Sequence, residues 1–188
     1  MCTELKYGAV LGVGGFSAVL EIRGVQAEST GTGQPTAEDS RPDVVDEDFY
    51  TMSTARDHIA KRCLRDGEAR YAVKMLYPHE DPLTLARGMI DLAIEAKYLS
   101  VLSHSNIVKM RGVSKTDGLH PSGFLILDRL YGTLGDKIKE WREAKKDLKG
   151  PVRGFFGSDK KGLQEFMQER LIVAYDLAAA FRYMHENR

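Results

Sequence analysis

Three closely spaced glycines could bind phosphate. Gly12, Gly14 and Gly15 stand in the stretch AVLGVGGFSAVLEI, residues 9–22. Glycines at this density either let the main chain approach a ligand or simply make a turn. Two folds place such a cluster over nucleotide phosphates: a strand–turn–helix unit, as in dinucleotide-binding proteins, and the turn of a β-hairpin. Residues 16–22 are typical of a strand, and no helix is predicted before residue 50, so the hairpin is favoured. The dinucleotide-binding alternative and a purely structural turn stay open.

Composition excludes several classes of protein. The 188 residues carry a formal net charge of zero, which gives no reason to expect nucleic acid or an anionic membrane as a partner. The two cysteines form neither a disulfide framework nor a CxxC metal pair, and the other residue types show no metal-ligand spacing. The first residues lack the pattern of a signal peptide, and no apolar run is long enough to span a membrane. We therefore expect a protein of the cytoplasm or nucleus, with no metal site.

The predicted elements are strands with one long helix among them, followed by helices. Two strands flank the glycine turn over residues 7–23, a loop covers 24–48, and a short helix over 50–66 is capped by Gly67. ARYAVKML is a strand, and Asp81-Pro82 begins a helix with Asp81 as its N-cap. NIVKMRGV and GFLILDRL are two more strands. LGDKIKEWREAKKDL and residues 163–185 are helical.

Five segments, in order, resemble motifs of the protein kinase family. Gly12–Val19 resembles the GxGxxGxV loop, with Ser17 in place of the third glycine, and Tyr71–Lys74 resembles the VAIK strand. Glu95 stands where the family's helix αC carries its glutamate. FLILDRLYGTLGDKI resembles the fifth strand and the hinge, and AYDLAAAFRYMHENR resembles the helix before the catalytic loop.

The resemblance implies an α+β fold. Residues 1–130 would form the small lobe, a five-stranded antiparallel sheet with helix αC, interrupted by a long, partly disordered insert at about 24–68. Residues 131–188 would form the hinge exit and the helices αD and αE of an incomplete large lobe.

The resemblance also implies ATP as the ligand. Lys74 would bridge the α- and β-phosphates, Glu95 would hold Lys74, and Leu127 would be the gatekeeper. The residues that the resemblance places around ATP are Leu11, Gly12, Val13, Gly14, Gly15, Phe16, Ser17, Val19, Ala72, Lys74, Leu127, Asp128, Leu130 and Asp136. Leu11, Val19 and Ala72 would cover the adenine, main-chain groups of 128–130 would contact its edge, and Asp136 would border the ribose.

Each of these residues also has a structural interpretation. Lys74 could be an edge-strand residue that prevents aggregation, and Glu95 could be a solvated helix residue. The glycines could make a turn and nothing more. Only the combination of the three favours a nucleotide site.

Several motifs of the family are not found in the sequence. The HRD aspartate, the asparagine that binds the second metal, and the DFG aspartate would all follow Arg188. The expectation is therefore the ATP-binding portion of a protein kinase, by family frequency serine/threonine-directed and inactive alone. Its protein substrate and Mg²⁺ would belong to the intact parent. The alternative is a truncated, pseudokinase-like interaction module without catalysis.

Overall fold

The structure is a computed structural model that describes residues 5–26, 56–78, 81–114, 119–148 and 160–187. The fold is α+β, with a five-stranded antiparallel sheet, a two-stranded sheet and four helices within these ranges. The chain divides into two compact units. The first comprises Met1–Val101 and Lys109–Arg129, and the second comprises Leu102–Val108 and Leu130–Arg188.

The first unit contains all of the described strands. They are β1 (Leu5–Val13), β2 (Ser17–Val25), β3 (Leu64–Arg65), β4 (Glu68–Ala69), β5 (Tyr71–Leu76), β6 (Met110–Val113) and β7 (Phe124–Asp128). Its helices are α1, of which residues 56–62 are described, and α2 (Pro82–Val101). The large sheet has the order β1-β2-β5-β7-β6, and each neighbouring pair is antiparallel. The predicted hairpin around the glycine turn is confirmed.

Side chains of strand β5 lie on both faces of this sheet. Successive residues point to opposite faces, as the pleat of a strand requires. Tyr71 and Val73 join a buried cluster on one face, together with Ile59 of α1 and Cys63, which directly follows α1. The C-terminal part of the predicted insert is therefore part of the hydrophobic core. The predicted loop beyond residue 26 and the start of the predicted helix, up to residue 55, lie outside the described residues.

The predicted helix over 50–66 is wrong at its C-terminal end. The chain leaves α1 at Cys63 and forms the β3–β4 hairpin, whose turn residues Asp66 and Gly67 have φ values of 53° and 80°. An Asp-Gly pair with both residues at positive φ is the hallmark of a type I′ hairpin turn. Gly67 therefore serves the hairpin turn and does not cap the helix.

The beginning of α2 is confirmed. Asp81 Oδ2 accepts a hydrogen bond from the Thr84 N–H at 2.8 Å, and Asp81 Oδ1 accepts one from the Leu83 N–H at 3.3 Å. These N–H groups have no partner within the helix, so the side chain supplies the acceptors that they need. Pro82 occupies the first helical position, where its missing N–H costs nothing.

A carboxylate is buried on the other sheet face, between β2 and the end of β7. Glu21 is 2% exposed and accepts hydrogen bonds from the Ala9 N–H at 3.3 Å and Arg23 Nε at 2.8 Å. Arg129 Nη2 lies 2.7 Å from its other oxygen, and Arg129 also pairs with Glu68 of β4 at 3.0 Å. Burial raises the pKa of Glu21. The hydrogen bonds and the two arginine charges outweigh burial, so the pKa lies below its usual value.

The second unit contains α3 (Leu134–Leu148) and α4 (Lys160–Glu186). Glu169 of α4 accepts a hydrogen bond from Trp141 Nε1 at 2.8 Å and pairs with Lys137 at 2.7 Å, which joins the two helices. Between them lies a groove of about 620 Å³ with mainly apolar walls. The segment before β6 is held to α4, because Ser103 N–H donates to Tyr183 Oη at 2.9 Å. Within the described parts of the chain, no helix is both long enough and apolar enough to cross a membrane.

A methyl group at position 8 would collide with the buried carboxylate. A Cβ on Gly8 would lie 2.6 Å from Glu21 Oε2, whereas a Cβ on Gly12 would have no atom within 4 Å. Because the Glu21 carboxylate is buried and held by Arg129, it has little freedom to move. We expect Gly8→Ala to lower the free energy of unfolding by about 1–3 kcal/mol, as overpacking typically does. Denaturant unfolding measures this effect, and Gly12→Ala is the matched control. Equal stability of the two variants would contradict this prediction.

The Glu21 network also predicts an acid dependence. Because the pKa of Glu21 is lowered in the fold, its carboxylate stabilises the protein above the usual glutamate pKa of about 4.3. This stabilisation is lost as the pH falls through the lowered pKa. We expect Glu21→Gln to be less stable than the wild type at pH 7 and to lose less stability on acidification. Denaturant unfolding at a series of pH values measures both effects.

Glu68→Gln is the control for this experiment. Glu68 contacts the same arginine, but its side chain is 63% exposed. Exposed ion pairs contribute little, so we expect a smaller change at pH 7 than for Glu21→Gln. The importance of burial would be refuted if the two variants had the same pH profile.

Candidate functional site

The glycine turn connects β1 and β2 and is held at two points. The Gly14 N–H donates to the Ser17 carbonyl at 2.7 Å, which closes the turn. The Tyr77 hydroxyl lies 2.8 Å from both the Gly14 and the Gly15 carbonyl oxygens, which share its single hydrogen. Strand β2 begins at Ser17, so the helix that a dinucleotide-binding unit requires after Gly15 is not formed.

Neither packing nor backbone conformation requires glycine at two of these positions. A Cβ built on Gly12 or Gly15 would have no atom within 4 Å. Among the described glycines, positive φ is found at Gly67. The glycine turn therefore leaves main chain accessible where a side chain would otherwise stand. The surroundings of Gly14 are more restricted, because the Ser17 carbonyl would lie 3.5 Å from a Cβ there.

Predicted site residues share one face of the large sheet. Residues directly opposite each other in an antiparallel pair lie on the same face. Lys74 is opposite Val19 on one side and Leu125 on the other. In the next row, Ala72 is opposite Leu127. The register thus places Val19, Ala72, Lys74 and Leu127 on a single surface, which is the face that α2 covers.

Lys74 and Glu95 form the ion pair that the resemblance implies. The ammonium of Lys74 donates to Glu95 Oε2, and the side chains are 25% and 32% exposed. Glu95 lies in α2, which packs on the sheet through its buried residues Gly88 and Leu92. The pair therefore connects the central strand to the helix in a partly shielded position, where solvent still reaches the ammonium.

The glycine turn also contacts α2. A Cβ on Gly88 would lie 3.0 Å from Phe16 Cβ and 3.1 Å from Leu76 Cδ2. The aromatic residue of the turn therefore rests against the helix at a position without a side chain. An alanine at position 88 would require Phe16 or Leu76 to shift by a few tenths of an ångström.

The predicted adenine-facing residues differ in accessibility. Ala72 and Leu127 are buried, at 3% and 8% exposure, while Leu11 is 38% exposed. Leu11 lies at a register shift in β1 between Val10 and Gly12. Val13 is 71% exposed. Among the residues predicted to cover the adenine, Leu11 and the half-buried Val19 thus provide most of the exposed apolar surface.

The end of β7 has few free main-chain donors. The Asp128 N–H donates to the Lys109 carbonyl at 2.9 Å, and the Arg129 N–H donates to the Arg70 carbonyl at 2.9 Å. The Asp128 carboxylate binds Arg111 through two hydrogen bonds of 2.7 and 2.8 Å, which raise the pKa of Arg111. The main chain of Asp128 would therefore contact the adenine edge through its carbonyl group.

Two of the predicted residues, Leu130 and Asp136, belong to the second unit. Leu130 is 67% exposed. Asp136 forms a capping box at the start of α3: its N–H donates to Thr133 Oγ1 at 3.1 Å, and its carboxylate accepts from the Thr133 hydroxyl at 2.6 Å. The Thr133 hydroxyl and the Lys139 ammonium lower the pKa of Asp136. In this structure Asp136 therefore serves the helix terminus.

The sequence patterns did not identify three residues that shape the site. Tyr77 braces the glycine turn, Gly88 receives Phe16, and Arg129 neutralises the buried Glu21. Gly88 stood inside a strongly helical pattern, and a glycine there is itself a sign of close packing. Tyr77 and Arg129 carried no comparable signal, because their partners are distant in sequence.

Two further observations concern metal binding and the comparison with known proteins. Across the described ranges, no three His, Cys, Asp or Glu side chains are grouped so that they could hold a metal ion. No protein-family model matches the chain, and no curated protein matches it significantly.

Proposed function

We propose that this chain is the nucleotide-binding portion of a protein kinase, which in the intact parent transfers a phosphoryl group from ATP to serine or threonine in proteins. The observation that carries the proposal is the Lys74–Glu95 ion pair on the sheet face adjoining the glycine turn. A lysine ammonium held by a carboxylate, next to accessible main chain, is suited to binding phosphate oxygens.

The relation between Lys74 and the turn supports the proposal. Val19, opposite Lys74, is two residues beyond Ser17, where the turn ends. Ser17 is itself opposite Leu76, so the turn and the lysine lie at the same end of the sheet. Along a strand this separation is about 7 Å, which is within the span of a triphosphate.

The residues present fit ATP as a ligand. The main chain at Gly12 and Gly15 would approach the phosphates, and the Lys74 ammonium would neutralise their charge. Leu11 and Val19 would cover the base from the open side. Bound ATP would supply the phosphoryl group for transfer. In this arrangement the chain's own groups bind and orient the nucleotide.

Removing the ammonium should weaken nucleotide binding. We expect Lys74→Met to reduce ATP affinity at least tenfold, about 1.4 kcal/mol, because the phosphates lose a charged partner. Isothermal titration with ATP measures the affinity. Lys146→Met is the control, since Lys146 also pairs with a glutamate, Glu143, but on α3. ATP binding that is equally strong in both variants would refute the role of Lys74.

The glycines provide a second test, which is separable from folding. We expect Gly12→Ala/Gly15→Ala to keep the stability of the wild type, because both added methyl groups meet open space. ATP affinity should nevertheless fall several-fold, because these methyl groups would occupy the approach to the main chain. Thermal unfolding and ATP titration of the same variant distinguish the two effects. Unchanged affinity would show that the glycines do not face the phosphates.

The ATP titration of the wild type also bears on the alternative, a truncated, pseudokinase-like interaction module without catalysis. If the wild-type chain does not bind ATP, the proposal fails. An interaction module without catalysis would then be the better interpretation of the exposed apolar residues on α2 and α4.

A further inference from the structure

Tyr77 fixes the orientation of two peptide groups in the glycine turn. Its hydroxyl lies 2.8 Å from the carbonyl oxygens of both Gly14 and Gly15, so the two carbonyl groups converge on one oxygen atom. Each carbonyl shares a planar peptide group with the N–H of the next residue, which is Gly15 in one case and Phe16 in the other. Both peptide bonds are trans, so each N–H points opposite to its carbonyl. The N–H groups of Gly15 and Phe16 therefore point away from Tyr77.

The two sides of the turn thus differ in polarity and in access. The side that presents the carbonyls is occupied by Tyr77. The Gly14 N–H is used within the turn, because it donates to the Ser17 carbonyl. The Gly15 N–H, in contrast, makes no hydrogen bond to any described residue, and a Cβ on Gly15 would have no atom within 4 Å. Successive main-chain N–H groups on one side of a turn form a site that attracts anions.

The orientation of these peptide groups needs a restraint. Two consecutive glycines give this part of the turn unusual backbone freedom. A rotation of either peptide group would bring a carbonyl oxygen to the side that now presents an N–H, and that oxygen would repel a phosphate. A contact that holds both carbonyls before a ligand arrives lowers the entropy cost of binding. The Tyr77 hydroxyl makes such a contact.

We propose that Tyr77 is a positioning residue for the triphosphate of ATP. By holding the carbonyls of Gly14 and Gly15, its hydroxyl presents the N–H groups on the opposite side of the turn to the phosphate oxygens. This inference rests on the proposed function, because it assigns Tyr77 to the same nucleotide site. Tyr77 directly follows β5, three residues after Lys74. One stretch of chain therefore carries both the ammonium and the hydroxyl that holds the turn.

Removing the hydroxyl alone tests this role. Tyr77→Phe keeps the ring but deletes the donor to both carbonyls. We expect the dissociation constant for ATP to rise about three- to tenfold, as the loss of one hydrogen bond typically gives. Isothermal titration of the full-length chain with ATP measures the change.

Tyr183→Phe is the matched control. Tyr183 also forms a hydrogen bond through its hydroxyl, which accepts from the Ser103 N–H at 2.9 Å, but it lies in the second unit. We expect this variant to bind ATP as the wild type does. Thermal unfolding of both variants shows whether either has lost its fold.

Restoring a donor distinguishes orientation of the turn from simple packing of the ring. Tyr77→p-aminophenylalanine, introduced by codon suppression, replaces the hydroxyl by an amino group with two hydrogens, one for each carbonyl. This variant should bind ATP at least as tightly as the wild type. If the ring merely filled space, Tyr77→Phe would already bind ATP as the wild type does.

Amide resonances report on the two N–H groups themselves. In the isotopically labelled wild-type chain, saturating ATP should shift the amide proton resonances of Gly15 and Phe16 downfield, because these groups then donate to phosphate. In Tyr77→Phe the same shifts should be smaller at saturation, because the peptide groups are no longer held.

The outcomes separate this inference from the proposed function. If the wild type binds ATP and Tyr77→Phe binds it equally tightly, Tyr77 has no positioning role, although the nucleotide site stands. The inference is also overturned if the p-aminophenylalanine variant binds ATP no better than Tyr77→Phe, or if the two amide resonances do not respond to ATP. A wild-type chain that does not bind ATP overturns the inference and the proposed function together.

Discussion

The ion pair between β5 and α2 connects the central strand of the first unit to the helix that contacts the glycine turn. Lys74 lies in the middle of the central strand, and Glu95 lies about two helical turns beyond Gly88. Seven residues of helix correspond to about 10 Å, so one face of α2 reaches both the glycine turn and the lysine. Movement of α2 would therefore change the position of Phe16 and the pairing of Lys74 together. The pair is partly exposed, so its Coulomb energy is modest and sensitive to what binds nearby.

How much of this could be predicted from the sequence depends on the distance between the interacting residues. The cap at Asp81 and the hairpin at the glycine turn depend on neighbouring residues, and both are confirmed. The Asp66-Gly67 turn was also locally encoded, but the helical spacing of Ile59 and Cys63 before it competed with that signal. No residue close to Glu21 in the sequence indicates that this side chain is buried. A glutamate in a strand is usually solvent-facing, and only the distant Arg129 makes its burial possible.

Four glycines of the first unit form two groups that composition alone does not separate. Packing restricts Gly8 and Gly88: a Cβ would collide with Glu21 at the first position and would lie 3.0 Å from Phe16 Cβ at the second. Gly12 and Gly15 are not required by the fold as it stands. A residue that costs conformational entropy and satisfies no packing constraint is better explained by something outside the chain. This contrast is stronger support for a ligand at the turn than the number of glycines is.

Glu21 and Lys74 lie on the same face of the large sheet but differ in how far their charges are compensated. This difference indicates where an anion would bind. Glu21 is buried and accepts hydrogen bonds from Ala9, Arg23 and Arg129, so its charge is already compensated. Lys74 has three N–H donors, and among the described residues it donates to Glu95 alone. Its side chain is 25% exposed. An anion that reaches this face from solvent therefore finds an ammonium with unused donors at Lys74 and a neutralised network at Glu21. The same sheet thus keeps one charged group for stability and leaves the other accessible.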